Sequence, residues 1–238
     1  MPDQVRHDDG RAPPGYRRLT EALSLAPRIL NSFGHLGPRG PVDGPPALVI
    51  PGFVATDRTT MELRRAFAAA GWRTHPWSLG LNRGARADTL DRLERRLREI
   101  GDGEPVLVIG WSLGGLFARE LARHRPDLVS AVVTLGSPFS GDVRGNNVWR
   151  FYEMVAGHPV DNPPIPRICD KPPVPTLAFW SRRDGIVAPA CARGEAHESD
   201  ERVELTCNHM AFGVSRPVTR DVTRRTLGFL ETRGLPTP

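Results

Sequence analysis

Lysine is almost missing from this chain: Lys171 stands alone among 32 basic residues, all the others being arginine. The net charge of +5 is spread thinly, because the arginines alternate with acids. In DRLERRLREI, Asp91 with Arg95 and Glu94 with Arg98 stand four apart, the spacing of paired charges on a solvated helix face. No basic block with interleaved aromatics occurs, which argues against a nucleic-acid partner. Cysteine is scarce too. Cys169, Cys191 and Cys207 are too few for a disulfide scaffold and lack metal-ligand spacing, so no metal is expected. No apolar run approaches the roughly 18 residues of a membrane span, so no transmembrane segment is expected. The opening MPDQVRHDDGRAPPGYRR has no apolar centre to serve as a signal peptide. The expected location is therefore cytoplasmic, or secreted if a leader has been removed.

What is present is a chain long enough for one sizeable core. Residues 1–45 read as an N-terminal tail with short helical pieces. Leu19, Leu23 and Ala26 fall on one side before Pro27, a face that can pack on the domain or make peripheral contact with a membrane. From Pro46 to Pro238 the rhythm is regular. The runs ALVIPGF, PVLVIG, VSAVVTLGS, PTLAFW and RVELTC predict strands, with WRTHPWSL a weaker one. Between them, TTMELRRAFAAAG predicts a helix with a Thr59–Glu62 capping box and a terminating Gly71. TLDRLERRLREIG and LGGLFARELARHRP predict two more helices, and a last one turns Val222, Thr226, Phe229 and Leu230 inward. Strands apolar throughout and separated by amphipathic helices call for an α/β fold: a shortened, mostly parallel sheet of about six strands, covered by helices on both faces. Residues 139–173 break the rhythm and read as an irregular excursion forming a small lid.

VLVIGWSLGG places Ser112 between Gly110 and Gly114, where a strand should become a helix. A strand-to-helix turn tight enough to expose that hydroxyl needs glycine two residues before and two after. Serine is a weak nucleophile and needs a base, which in turn needs an orienting acid, both at strand ends and in the order acid, then histidine. Asp184, in LAFWSRRDGIV, is the expected acid; the rivals Asp142 and Asp170 lie in the excursion. His209, in VELTCNHMAF, is the expected base, since His197 lies on the approach to a strand, at the wrong end of the sheet. The oxyanion of such a reaction needs fixed amides. Leu113 at the helix start and Phe53 after the first strand are the candidates.

IPGF, GWSLGG, TLGSPFSG, SRRDGIV and NHMAFGV together resemble the α/β-hydrolase superfamily, and more narrowly its bacterial lipases and esterases, over about Ala47 to Leu230. The resemblance implies a Ser112–His209–Asp184 triad, an oxyanion hole at Phe53 and Leu113, no cofactor, and a small-molecule or lipid ester as substrate. Where relatives often carry SPH, this chain has SPF. Trp149, Phe151, Tyr152 and Met154 of the lid, with Phe139, are expected to form an apolar acyl pocket. Similar lipases often carry cysteines near the positions of Cys191 and Cys207. The pair forms either a bridge closing a loop of about 15 residues or two buried thiols. Thioester hydrolysis, acyl transfer and cofactor-free perhydrolysis remain alternative chemistries for the same triad, and a membrane-associated binding protein with a vestigial site is the alternative of another class. Oligomeric state is not legible.

Overall fold

The computed structural model describes residues 37, 39–142, 149–159 and 161–238. The short helical pieces expected before residue 37 lie outside them.

Six strands form the sheet: β1 (Pro46–Ile50), β2 (Arg73–Pro76), β3 (Val106–Trp111), β4 (Val129–Leu135), β5 (Thr176–Trp180) and β6 (Glu201–Glu204). Their order across the sheet is β2-β1-β3-β4-β5-β6, and every pairing is parallel. The unbroken apolar runs are explained by where alternate side chains go. Ala47, Val49, Leu107, Ile109 and Val133 enter one core, with Phe67 and Phe229 from the helices on that face. Leu48, Ile50, Val106, Val108 and Val132 enter the other, with Leu97 and Phe117. At roughly 1.5–3 kcal/mol for each fully buried Val, Leu, Ile or Phe, both faces contribute heavily to stability.

The helices are α1 (Met61–Ala69), α2 (Thr89–Gly101), α3 (Leu113–His124), α4 (Trp149–Ala156), α5 (Pro189–Arg193), α6 (Ala211–Val214) and α7 (Arg216–Glu231). The expected capping box does not form. Thr60 is the N-cap of α1 without a side-chain cap bond, the Thr59 hydroxyl donates back to the Thr56 carbonyl at 2.6 Å, and the Glu62 carboxylate is drawn outward to Arg65 and to Arg216 on α7. The other end closes as expected, with Gly71 at φ +106° and the Trp72 amide donating to the Phe67 carbonyl at 3.2 Å. Two further differences stand out. The excursion expected to be irregular contains α4, and Arg39, assigned to the tail, makes an antiparallel bridge to Thr74 on the outer edge of β2.

From β1 the chain steps outward to β2, then returns past β1 to β3 and continues the other way. Such a reversal opens a crevice at the carboxyl ends of β1 and β3. The loops after β1 and β3 carry Phe53 and Ser112.

Candidate active site

Ser112 takes φ 54° and ψ −121°, a conformation L residues rarely adopt and one that costs of order 1–3 kcal/mol. The structure around it explains why only glycine fits on either side. A Cβ on Gly110 would stand 2.2 Å from the Gly114 carbonyl oxygen, and one on Gly114 would stand 2.4 Å from that of Ile50. The Ser112 amide donates to the Leu135 carbonyl on β4 at 2.8 Å, pinning the turn from behind. The loop after β1 passes close by: a Cβ on Gly52 would lie 3.2 Å from that of Ser112.

Asp184 and His209 are brought together from the loops after β5 and β6. The His209 Nδ1 lies 2.7 Å from Asp184 Oδ2, with both side chains buried. The other carboxylate oxygen accepts the amides of Ile186 and Val187, each at 2.8 Å, so the acid is held by three donors. Behind the pair, the Trp111 indole donates to the His209 carbonyl at 3.2 Å, which ties the histidine loop to the residue before Ser112. His197 is exposed in the loop that leads into β6, at the opposite end of the sheet.

Three contributors here carry no sequence motif. The Ser181 hydroxyl donates to the Cys207 carbonyl at 2.6 Å and accepts the Arg183 and Cys207 amides, joining the acid loop to the histidine loop. Gly136, at φ +54°, leaves room beneath the pair: a Cβ there would stand 3.0 Å from Asp184 Oδ2 and 3.2 Å from His209 Nδ1. Buried Asn82 clamps the loop after β1, its side-chain amide donating to the Pro51 carbonyl at 2.8 Å and its backbone carbonyl accepting the Val54 amide at 2.7 Å. Serine, glycine and asparagine in loops signal turns, and only the fold shows what these turns hold.

Ser112, Leu113 and Phe53 open onto one cleft. Trp149 and Tyr152 of α4 line it as well. Tyr152 docks α4, its ring centroid 5.0 Å from that of Phe53 and its hydroxyl accepting the Ala85 amide at 3.3 Å. Two of the expected pocket residues lie elsewhere. Phe139 is fully buried beneath the Arg119 guanidinium, 4.2 Å from its ring centroid, because the chain turns inward after Pro138. Met154 is 72% exposed, on the face of α4 turned away from Tyr152. The Phe151 side chain lies outside the described residues. Cys169, Cys191 and Cys207 are not joined in a disulfide, so no bridge pins the histidine loop. Among the described residues, no three His, Cys, Asp or Glu side chains gather where they could hold a metal ion.

Residues 67–162 match the model of a family described as alpha/beta hydrolase fold. A stretch of 60 residues is 45% identical to Lipase LipV of Mycobacterium tuberculosis, covering 25% of this chain and 20% of that protein. The chain thus spans only about a fifth of that lipase's length in the match. Among solved structures, the thioesterase domain from the curacin biosynthetic pathway superposes with a TM-score of 0.59 at 15% identity, over 79% of this chain and 93% of that one. Naproxen esterase (carboxylesterase NP) from Bacillus subtilis superposes with a TM-score of 0.54 at 16% identity, over 94% and 99%. Likeness at such identities shows a shared fold, and the two differ in the bonds their names say they cleave.

Proposed function

From a chain with the α/β-hydrolase fold, we propose a serine hydrolase that cleaves carboxylic esters, small-molecule or lipid, through Ser112, His209 and Asp184. The observation that carries this reading is the buried 2.7 Å contact between His209 and Asp184, in a loop tied to the forced elbow of Ser112. With Nδ1–H donated to Asp184, the His209 Nε2 is left free of its proton and serves as the base.

In this mechanism Nε2 takes the Ser112 hydroxyl proton as Oγ attacks the ester carbonyl. The tetrahedral oxyanion is received by the amides of Phe53 and Leu113, each worth about 3–4 kcal/mol in comparable sites. Asp184 stabilises the imidazolium, which then gives its proton to the departing alcohol. Water deprotonated by the same histidine releases the acid from the acyl-enzyme.

The test is labelling with a fluorophosphonate together with a chain-length series of nitrophenyl esters. Ser112→Ala is expected to lose the label and about 10⁴-fold or more of the turnover. A wild-type protein that takes no label and cleaves no ester would overturn the reading.

A further inference from the structure

The cleft that begins at Ser112 follows one helix. Leu113, Leu116, Phe117 and Glu120 all line it, and on α3 these positions share one face. Seven residues of helix advance about 10 Å, the reach of a medium-length acyl chain. The walls along that path are apolar, with Pro138, Ile165, Ile186 and Val187 among them. The last of the four along the helix, Glu120, carries a carboxyl group.

Glu120 is buried, 6% exposed. Its Oε1 accepts the Ile168 amide at 3.2 Å and lies 3.7 Å from Arg123 Nε. Its Oε2 has no hydrogen-bond partner among the described residues. Burial pushes the carboxyl above the usual range, against the opposing pull of Arg123, the Ile168 amide and Arg119. Arg167 also lines the cleft, but its guanidinium is committed to the carbonyls of Pro138, Ser140 and Gly141. Glu120 therefore brings to the apolar lining of the cleft a carboxyl oxygen with no partner among the described residues, seven residues along the helix from Leu113. A plain alkyl chain filling that cleft strips water from Oε2 and returns nothing, whereas a chain ending in a hydroxyl replaces the lost bond.

We propose that Glu120 is a specificity-determining residue whose carboxyl selects esters of medium-length acids bearing a hydroxyl at the distal carbon over the plain acids of the same length. The proposal rests on the serine-hydrolase reading of the same cleft.

The experiment compares kcat/KM for the nitrophenyl esters of octanoic acid and ω-hydroxyoctanoic acid. The wild-type protein is expected to favour the hydroxy ester about tenfold or more, chiefly through KM. Glu120→Leu is expected to abolish or reverse that preference, and Glu120→Gln to retain it. Glu120→Met, which keeps the length and drops the acceptor, replaces the leucine variant if that one fails to fold, with uptake of fluorophosphonate as the check on folding. A wild-type protein that labels and cleaves both esters alike overturns this proposal alone, as does a preference that survives in the leucine or methionine variant. Absence of both label and turnover overturns the serine-hydrolase reading and this one with it.

Discussion

At the scale of single residues, the serine elbow is legible because its constraints are local: two glycines, an apolar strand before and a helix after all fall within VLVIGWSLGG. Gly136 has the same kind of constraint with none of the visibility, since the groups that exclude a side chain there arrive from Asp184, His209 and Phe212, far along the chain. A methyl group at that position meets the Phe212 ring at 3.1 Å as well as both Asp184 and His209. Gly136→Ala is therefore expected to lower kcat for esters about 10²-fold by displacing the acid–base pair, with KM little changed. Steady-state kinetics alongside fluorophosphonate labelling rates will show the split; an unchanged kcat would mean the pair has room to move aside. Met154 and Phe139 teach the complementary lesson. Aromatic and apolar residues near a site read alike in sequence, and only the direction in which each leaves the backbone decides whether it reaches the cleft.

At the scale of elements, strands were legible because continuous apolar runs have one good solution, burial on both faces of a sheet. The start of α1 departs from the capping-box pattern because Glu62 is drawn instead to Arg216 on a helix more than a hundred residues later. Helix α4 was hidden by flanking prolines and glycine, and its place over the cleft depends on Tyr152 reaching Phe53 and Ala85. The loops after β5 and β6 behave as one element through Ser181. Ser181→Ala removes the buried hydroxyl that bonds both the carbonyl and the amide of Cys207, at a cost of about 1–3 kcal/mol. The expected result is a drop in kcat of roughly tenfold for esters, with stability lowered by that amount in urea unfolding. A variant equally unstable yet fully active would show that the two loops hold their geometry independently.

At the scale of the whole molecule, the six strands and the two covered faces could be read from the sequence, but not which strand lies beside which, because lateral order depends on contacts between distant segments. One buried group makes global stability depend on pH. His75 on β2 has its pKa pushed down to about 4 by burial and by the nearby Arg96 and Arg73, and its Nε2 has no hydrogen-bond partner among the described residues. The unfolded chain binds a proton near pH 6.5 that the folded chain refuses, so this contribution is complete above that pH and is lost as pH falls toward 4. Between pH 7 and pH 5 the loss should be about 2 kcal/mol, and His75→Phe should remove that part of the slope in urea titrations. A slope unchanged by the substitution would assign the pH dependence to other groups. One feature of the architecture also constrains any redesign. Ile186 and Val187 grip the acid with their amides while their side chains form a wall of the cleft. On the proposed ester-hydrolase reading, reshaping those two positions for bulkier substrates would also disturb the amides that hold Asp184, so laboratory evolution of selectivity is expected to advance more freely along the α3 lining.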